Sequence, residues 1–175
     1  ARAGIQFNRF RFEQRPHRPM SRRLAFEAQY KKANPMQDQI ASALQDLVRG
    51  RVHVDESTLN RYATDQSIYR VRPRVVVHPR DLEDVVAAVR FARENGLPIT
   101  PRGAGSGTAG SGLGSGVMLA FHAFPRDEVD HPMNAILGFE ERDGEPRVTV
   151  EPGLLHDDLQ AFLRERGLFM PADPS

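Results

Sequence analysis

The residues best suited to chemistry form one run, Arg102-Gly-Ala-Gly-Ser-Gly-Thr-Ala-Gly-Ser-Gly112. It holds five glycines and three hydroxyls directly behind the strand-like Pro98-Ile-Thr-Pro101. Successive small residues let a backbone curl until several N–H groups point into one concavity, a nest suited to phosphate or pyrophosphate. Three phosphate motifs compete for this run. A P-loop must end in Gly-Lys-Ser/Thr, and no lysine lies near it. Gly105-Ser-Gly107-Thr-Ala-Gly110 does spell the dinucleotide string G-x-G-x-x-G. That motif has to open a helix whose N-terminus helps hold the pyrophosphate. Here the glycines run through Leu113-Gly-Ser-Gly116 into Val117-Met-Leu-Ala-Phe121, which predicts a strand. The third option is a pyrophosphate held by a loop between two strands, without a helix dipole. A glycine cluster can also be a plain surface linker; two apolar strands flanking this one argue against that.

Other candidates for chemistry are weak. The six histidines are His17, His53, His78, His122, His131 and His156, and no two stand at i, i+4 spacing. No acidic cluster completes a metal set beside them, so no metal is expected. His122 and His131 are predicted in a solvated loop, and His156 in the first turn of a helix. Asp157 and Asp158 suit that same first turn, where carboxylates complement the helix dipole rather than forming a catalytic pair. Ser106 lacks the strand–turn–helix setting of a nucleophile elbow. The absence of cysteine excludes disulfides, thiolate metal ligands and a cysteine nucleophile within the chain. No catalytic residue is assigned.

The elements that must position the glycine run follow from local patterning. Ile40, Ala43, Leu44, Leu47 and Val48 recur at helical spacing over 37–49, and Gly50 stops that helix. Residues 62–69 form a polar connector with turn chemistry at Asp65 and Ser67. Val75-Val-Val77 closed by Pro79 predicts a buried strand. Asp81 then caps a helix whose apolar stripe is Leu82, Val85, Val86, Val89 and Ala92, ended by Gly96 and Pro98. With the strand at 98–101 this makes a compact βαβ unit. Asp143-Gly144 between alternating apolar residues predicts a hairpin joining 136–141 to 147–151. A helix over 155–166, with Leu155, Leu159, Phe162 and Leu163 on one face, gives a weak echo of the first unit. The fold class is therefore α+β, a small mixed sheet with covering helices.

Charge divides the chain. Residues 1–32 carry nine Lys or Arg against Glu13 and Glu27, and Pro16, Pro19 and Pro35 punctuate them, so 1–35 is expected as an irregular basic arm. It is read as a solvated or partner-docking extension, with an Arg-rich targeting peptide as the alternative. Residues 36–61 form a helical lead-in, and 62–175 form the body. The net charge of the whole chain is only +1, which leaves the body acidic, so nucleic acid is not an expected partner. No apolar run approaches the roughly 18–20 residues of a membrane span. A cytoplasmic setting is expected, with peripheral contact to a membrane left open.

Several motifs in one order carry a resemblance. They are Tyr62-Ala-Thr-Asp-Gln-Ser-Ile-Tyr69, Val76-Val-His-Pro79, Leu97-Pro-Ile-Thr-Pro-Arg-Gly-Ala-Gly-Ser-Gly-Thr108, Met133-Asn-Ala-Ile136, Val150-Glu-Pro-Gly153 and Pro171-Ala-Asp-Pro-Ser175. Together they resemble the N-terminal part of the FAD-binding domain of the vanillyl-alcohol oxidase and p-cresol methylhydroxylase (PCMH-type) flavoproteins. The likeness is greatest to the D-lactate, glycolate and D-2-hydroxyglutarate dehydrogenase branch. It implies the first subdomain of such a domain, with FAD as cofactor and a small 2-hydroxy acid as substrate. The implied cofactor-binding residues are Pro101, Arg102, Gly103, Ala104, Gly105, Ser106, Gly107, Thr108, Gly110, Ser111 and Gly112, with Pro174 and Ser175. Some relatives tether the flavin through a histidine in this loop. The equivalent position here is Ser106, so non-covalent FAD is expected.

Two departures from the family pattern stand out. The link over 121–132 is longer and more polar than usual. The substrate-binding and proton-abstracting residues of the family lie mainly beyond the position of Ser175, so the chain is expected to be a truncated, inactive portion of an oxidoreductase. An electron acceptor or partner subunit is left open as a further partner. The alternative is a non-catalytic pyrophosphate-binding or structural fragment that docks on a partner.

Overall fold

The computed structural model describes residues 35–122 and 133–171. The expected basic arm up to residue 34, most of the polar link (123–132) and the pair Pro174 and Ser175 lie outside the described residues. Helix α1 runs Pro35–Leu47, with Pro at its first position, where a missing N–H costs nothing. A short strand β1 (Arg51–His53) and a helix α2 (Glu56–Arg61) follow it. Neither was anticipated as a separate element. Asp55 caps α2 by accepting from the Thr58 amide at 2.9 Å.

Strand β2 (Val75–His78) leads to helix α3 (Leu82–Glu94), strand β3 (Ile99–Arg102) and strand β4 (Val117–Ala120). These form one mixed sheet in the order β1-β2-β4-β3. Strand β4 pairs in parallel with both neighbours, setting Val75 and Ile99 opposite Val117, while β1 runs antiparallel to β2. The two strands of the expected βαβ unit are therefore not adjacent, because β4 inserts between them.

The two central strands, β2 and β4, are continuous β-branched and aliphatic runs because both of their faces are covered. On one face Val75, Val77, Val117 and Leu119 pack against Leu44 and Val48 from the α1 segment and Ala88, Phe91 and Ala92 of α3. On the other face Val76, Met118 and Ala120 meet Leu59 and Tyr62.

The expected stripe of α3 needs correction. Ala92 is buried and Val85 packs against the core as expected, but Leu82 is 69% exposed, and Val86 and Val89 also face solvent. The buried side is Asp84, Ala88, Phe91 and Ala92. Asp84 turns inward because its carboxylate accepts the amides of Arg49, Gly50 and Arg80, each at 2.8 Å. Three backbone donors offset the cost of burying that charge. The capping assignments hold. Asp81 accepts from the Asp84 amide at 3.1 Å, and Gly96 adopts φ +61° just past the helix end.

Strands β5 (Ile136–Arg142) and β6 (Glu145–Val150) make the expected hairpin as a separate two-stranded sheet. Asp143 and Gly144 both take positive φ, 58° and 78°, as a two-residue turn of the favoured hand requires. Helix α4 (His156–Arg164) follows with Leu159 and Leu163 buried, and Phe162 meets Phe139 of β5 edge-on at 6.0 Å. The two copies of the weak repeat lie in different sheets. The first strand pairs in parallel with β4 and antiparallel with β1, and the second lies in an antiparallel hairpin.

Candidate functional site

The glycine run leaves the carboxyl end of β3 and returns to the start of β4. In sheets with parallel strands, ligands bind outside that carboxyl edge. The sequence forms a loop here and not a helix because its glycines serve separate turns. Gly105 and Gly110 take φ values of 74° and 79°, a region costly for any residue with a Cβ. Leu113 N–H closes the second turn on Gly110 O at 3.1 Å. At the base, Gly116 lies where a Cβ would fall on the Pro98 carbonyl, so β3 and β4 meet only because that side chain is absent.

Beneath the loop lies Arg102, 9% exposed. Its Nη2 donates to Thr64 O at 2.9 Å, and its Nη1 reaches Tyr62 O at 3.4 Å and Gly112 O at 3.5 Å. The guanidinium carbon stands 5.2 Å from the centre of the Tyr62 ring. Burial lowers the Arg102 pKa from its ordinary value, against the raising influence of Tyr62 and Asp65. A Cβ on Gly105 would meet this guanidinium. The connector behaves as its turn chemistry predicts. Asp65 Oδ1 accepts the Ser67 amide at 2.8 Å, and Ser67 Oγ accepts the Tyr69 amide at 3.1 Å. Hydrogen bonding from Ser67, opposed by burial and assisted by the charge of Arg102, holds the Asp65 carboxyl below its ordinary range. The connector is tied to the loop by Gln66 N–H donating to Gly105 O at 3.3 Å.

The upper side of the loop is different. Gly103, Ala104, Ser106, Thr108, Ala109 and Ser111 are exposed. Among the described residues the amides of 104–109 donate to no protein acceptor. The result is a row of uncharged N–H donors with three hydroxyls, those of Ser106, Thr108 and Ser111. This donor set fits the diphosphate of a dinucleotide, since small residues allow close approach and amides suit phosphate oxygens. Of the implied binding residues, the structure brings Pro101, Arg102 and the loop positions together in one arc.

A second polar group was not foreseen. His78 is buried, with Nδ1 3.1 Å from Ala120 O and Nε2 3.4 Å from the Tyr62 hydroxyl. The Tyr62 hydroxyl donates to His122 O at 3.1 Å. The residues are 16 to 60 apart in sequence, so no local spacing announces this link between β2, β4 and the connector. Among the described residues no group of three His, Asp or Glu could hold a metal, and no helix is long and apolar enough to cross a membrane.

Comparison with known proteins bears on what the loop holds. Residues 73–175 match the family described as FAD binding domain. The chain is 31% identical to the D-lactate dehydrogenase of Anaerostipes hadrus, over 85% of this chain and 29% of that protein. It is 34% identical to the D-2-hydroxyglutarate dehydrogenase of Pseudomonas putida, over 73% of this chain and 12% of that protein. The chain thus spans less than a third of either relative. In fold it resembles crystalline p-cresol methylhydroxylase, with a TM-score of 0.58 at 18% identity, covering 79% of this chain and 26% of that one. The α+β architecture is thus that of the N-terminal part of a PCMH-type domain.

Proposed function

The chain belongs to the FAD binding domain family, and from that premise we propose that it is the pyrophosphate-holding portion of a flavin-dependent dehydrogenase or oxidase of small 2-hydroxy acids. The substrates would be of the D-lactate, glycolate or D-2-hydroxyglutarate type. The observation that carries this reading is the row of undonated amides at 104–109, standing at the carboxyl edge of β3. The likeness to a D-lactate and a D-2-hydroxyglutarate dehydrogenase supports the substrate class.

In this reading the amides of the loop, with the hydroxyls of Ser106, Thr108 and Ser111, hold the FAD diphosphate, and Pro101 and Arg102 fix where the loop begins. Pro174 and Ser175 are assigned to the cofactor from the family motif. Bound FAD supplies the hydride acceptor for the substrate's carbinol carbon. The residues of this chain contribute binding and orientation. Attachment is non-covalent, because Ser106 stands where some relatives place a tethering histidine, and a hydroxyl has no imidazole nitrogen to offer. A cytoplasmic setting, with an electron acceptor or partner subunit met at the surface, completes the proposal.

The test is anaerobic mixing of the intact flavoprotein with D-lactate, glycolate and D-2-hydroxyglutarate, followed by flavin absorbance. Bleaching by at least one of them is expected. A flavin that stays oxidised with all three overturns the substrate assignment.

A further inference from the structure

Arg102 invites the role of a phosphate ligand, being a cation at the mouth of an anion-binding loop. Its surroundings argue otherwise. The side chain is buried, and its donors are directed at three backbone carbonyls, those of Tyr62, Thr64 and Gly112. Tyr62 covers one side of the guanidinium, and Gly105 lies against it so closely that a Cβ would collide. Three of its N–H donors are engaged in this way, and moving the guanidinium out toward a phosphate would break those bonds.

Those contacts have a mechanical consequence. Through Tyr62 O and Thr64 O, Arg102 fixes the backbone of the connector. The connector's Gln66 amide then holds Gly105 O inward at 3.3 Å. In a trans peptide the C=O and the following N–H point in opposite directions. With Gly105 O turned in, the Ser106 N–H is turned out. The Gly112 carbonyl, at the far end of the run, rests on the same guanidinium, so both ends of the arc are tied to one side chain.

We propose that Arg102 is a positioning residue, a clamp that holds the loop with its amides outward, and that it does not itself contact the FAD phosphates. This rests on the loop being the pyrophosphate site. The planar fork of arginine suits the task, since its two terminal nitrogens reach carbonyls on two segments from one buried position, whereas an ammonium offers a single nitrogen.

The experiment uses the intact apoprotein, titrated with FAD and separately with riboflavin, which lacks phosphates. Wild type, Arg102→Met and Arg102→Lys are compared at low and high salt. The clamp predicts that both variants lose FAD affinity by about tenfold or more, as expected for loss of hydrogen bonds from a charged group. Riboflavin affinity should change less than the FAD affinity by a wide margin, and the salt dependence of FAD binding should match that of wild type.

Three outcomes overturn the clamp. One is FAD binding by Arg102→Lys close to wild type, with a shallower salt dependence in Arg102→Met, which would mark a direct charge contact. Another is wild-type FAD affinity in both variants. The third is equal loss of FAD and riboflavin, which would mark a general defect of the fold. A double-mutant cycle provides an independent check. Gly105→Ala should cost less FAD affinity in the Arg102→Met background than in wild type, because its Cβ then has no guanidinium to displace; additive losses would contradict the clamp. Wild-type apoprotein that binds no FAD at all would instead refute the pyrophosphate assignment on which the proposal rests.

Discussion

At Gly105 positive φ and the Arg102 side chain both exclude a Cβ. Gly105→Val is therefore expected to lower the flavin content of the purified intact protein several-fold, read from the ratio of flavin to protein absorbance. Unchanged flavin content would show that the loop is not the binding element. At this scale the glycines were legible in sequence, since small residues between two apolar strands point to close backbone approach. The orientation of Arg102 was not. Its acceptors are backbone carbonyls about 40 residues upstream or at the far end of the loop, and carbonyls have no sequence signature. His78 escaped for the same reason, as its partners come from other strands and from the connector.

Helix ends and turns follow local rules, and those were the parts of the elements most readily read. Asp81, Gly96 and the Asp143-Gly144 turn perform as their types dictate. The buried side of α3 was misread because Leu82, Val86 and Val89 also recur at helical spacing. Long-range contacts decide which side turns in, here the amide partners of Asp84 and the packing of Ala88, Phe91 and Ala92 on the sheet. Asp84→Ala leaves three amides without their acceptor and should destabilise the intact protein by roughly 2–4 kcal/mol. A melting temperature within error of wild type would contradict this.

The cap of α2 gives a pH prediction. Burial raises the Asp55 pKa, but hydrogen bonds from Thr58 and Ser57 and the nearby His53 outweigh it and hold the value at about 2. A depressed carboxyl pKa stabilises the fold above the unfolded value of ~4, and that contribution is lost as pH falls through the folded value. Asp55→Ala should be less stable than wild type at neutral pH by about 1 kcal/mol. The difference should shrink between pH 4 and pH 2. A difference that stays constant over that range would refute the assignment.

Over the whole molecule, strand order was the least legible feature. The insertion of β4 between β2 and β3 depends on pairings across the chain, which strand periodicity alone does not specify. The span of the chain also matters, at less than a third of its D-lactate and D-2-hydroxyglutarate dehydrogenase relatives. A loop that grips the diphosphate leaves the flavin ring to be buried by other parts of a protein, and ring burial supplies much of a cofactor's affinity. Residues 1–175 alone should therefore bind FAD far more weakly than the intact protein in isothermal titration. Micromolar or tighter binding by this stretch would mean the loop and its surroundings suffice.

The central claim is that the intact protein holds FAD, without a covalent bond, through this loop. Acid precipitation of the purified protein, with identification of the flavin by mass, tests it most directly. The account predicts FAD in the supernatant, in molar amount equal to the protein, and a colourless pellet. A preparation without flavin, or flavin fluorescence that remains with the denatured polypeptide, would contradict it.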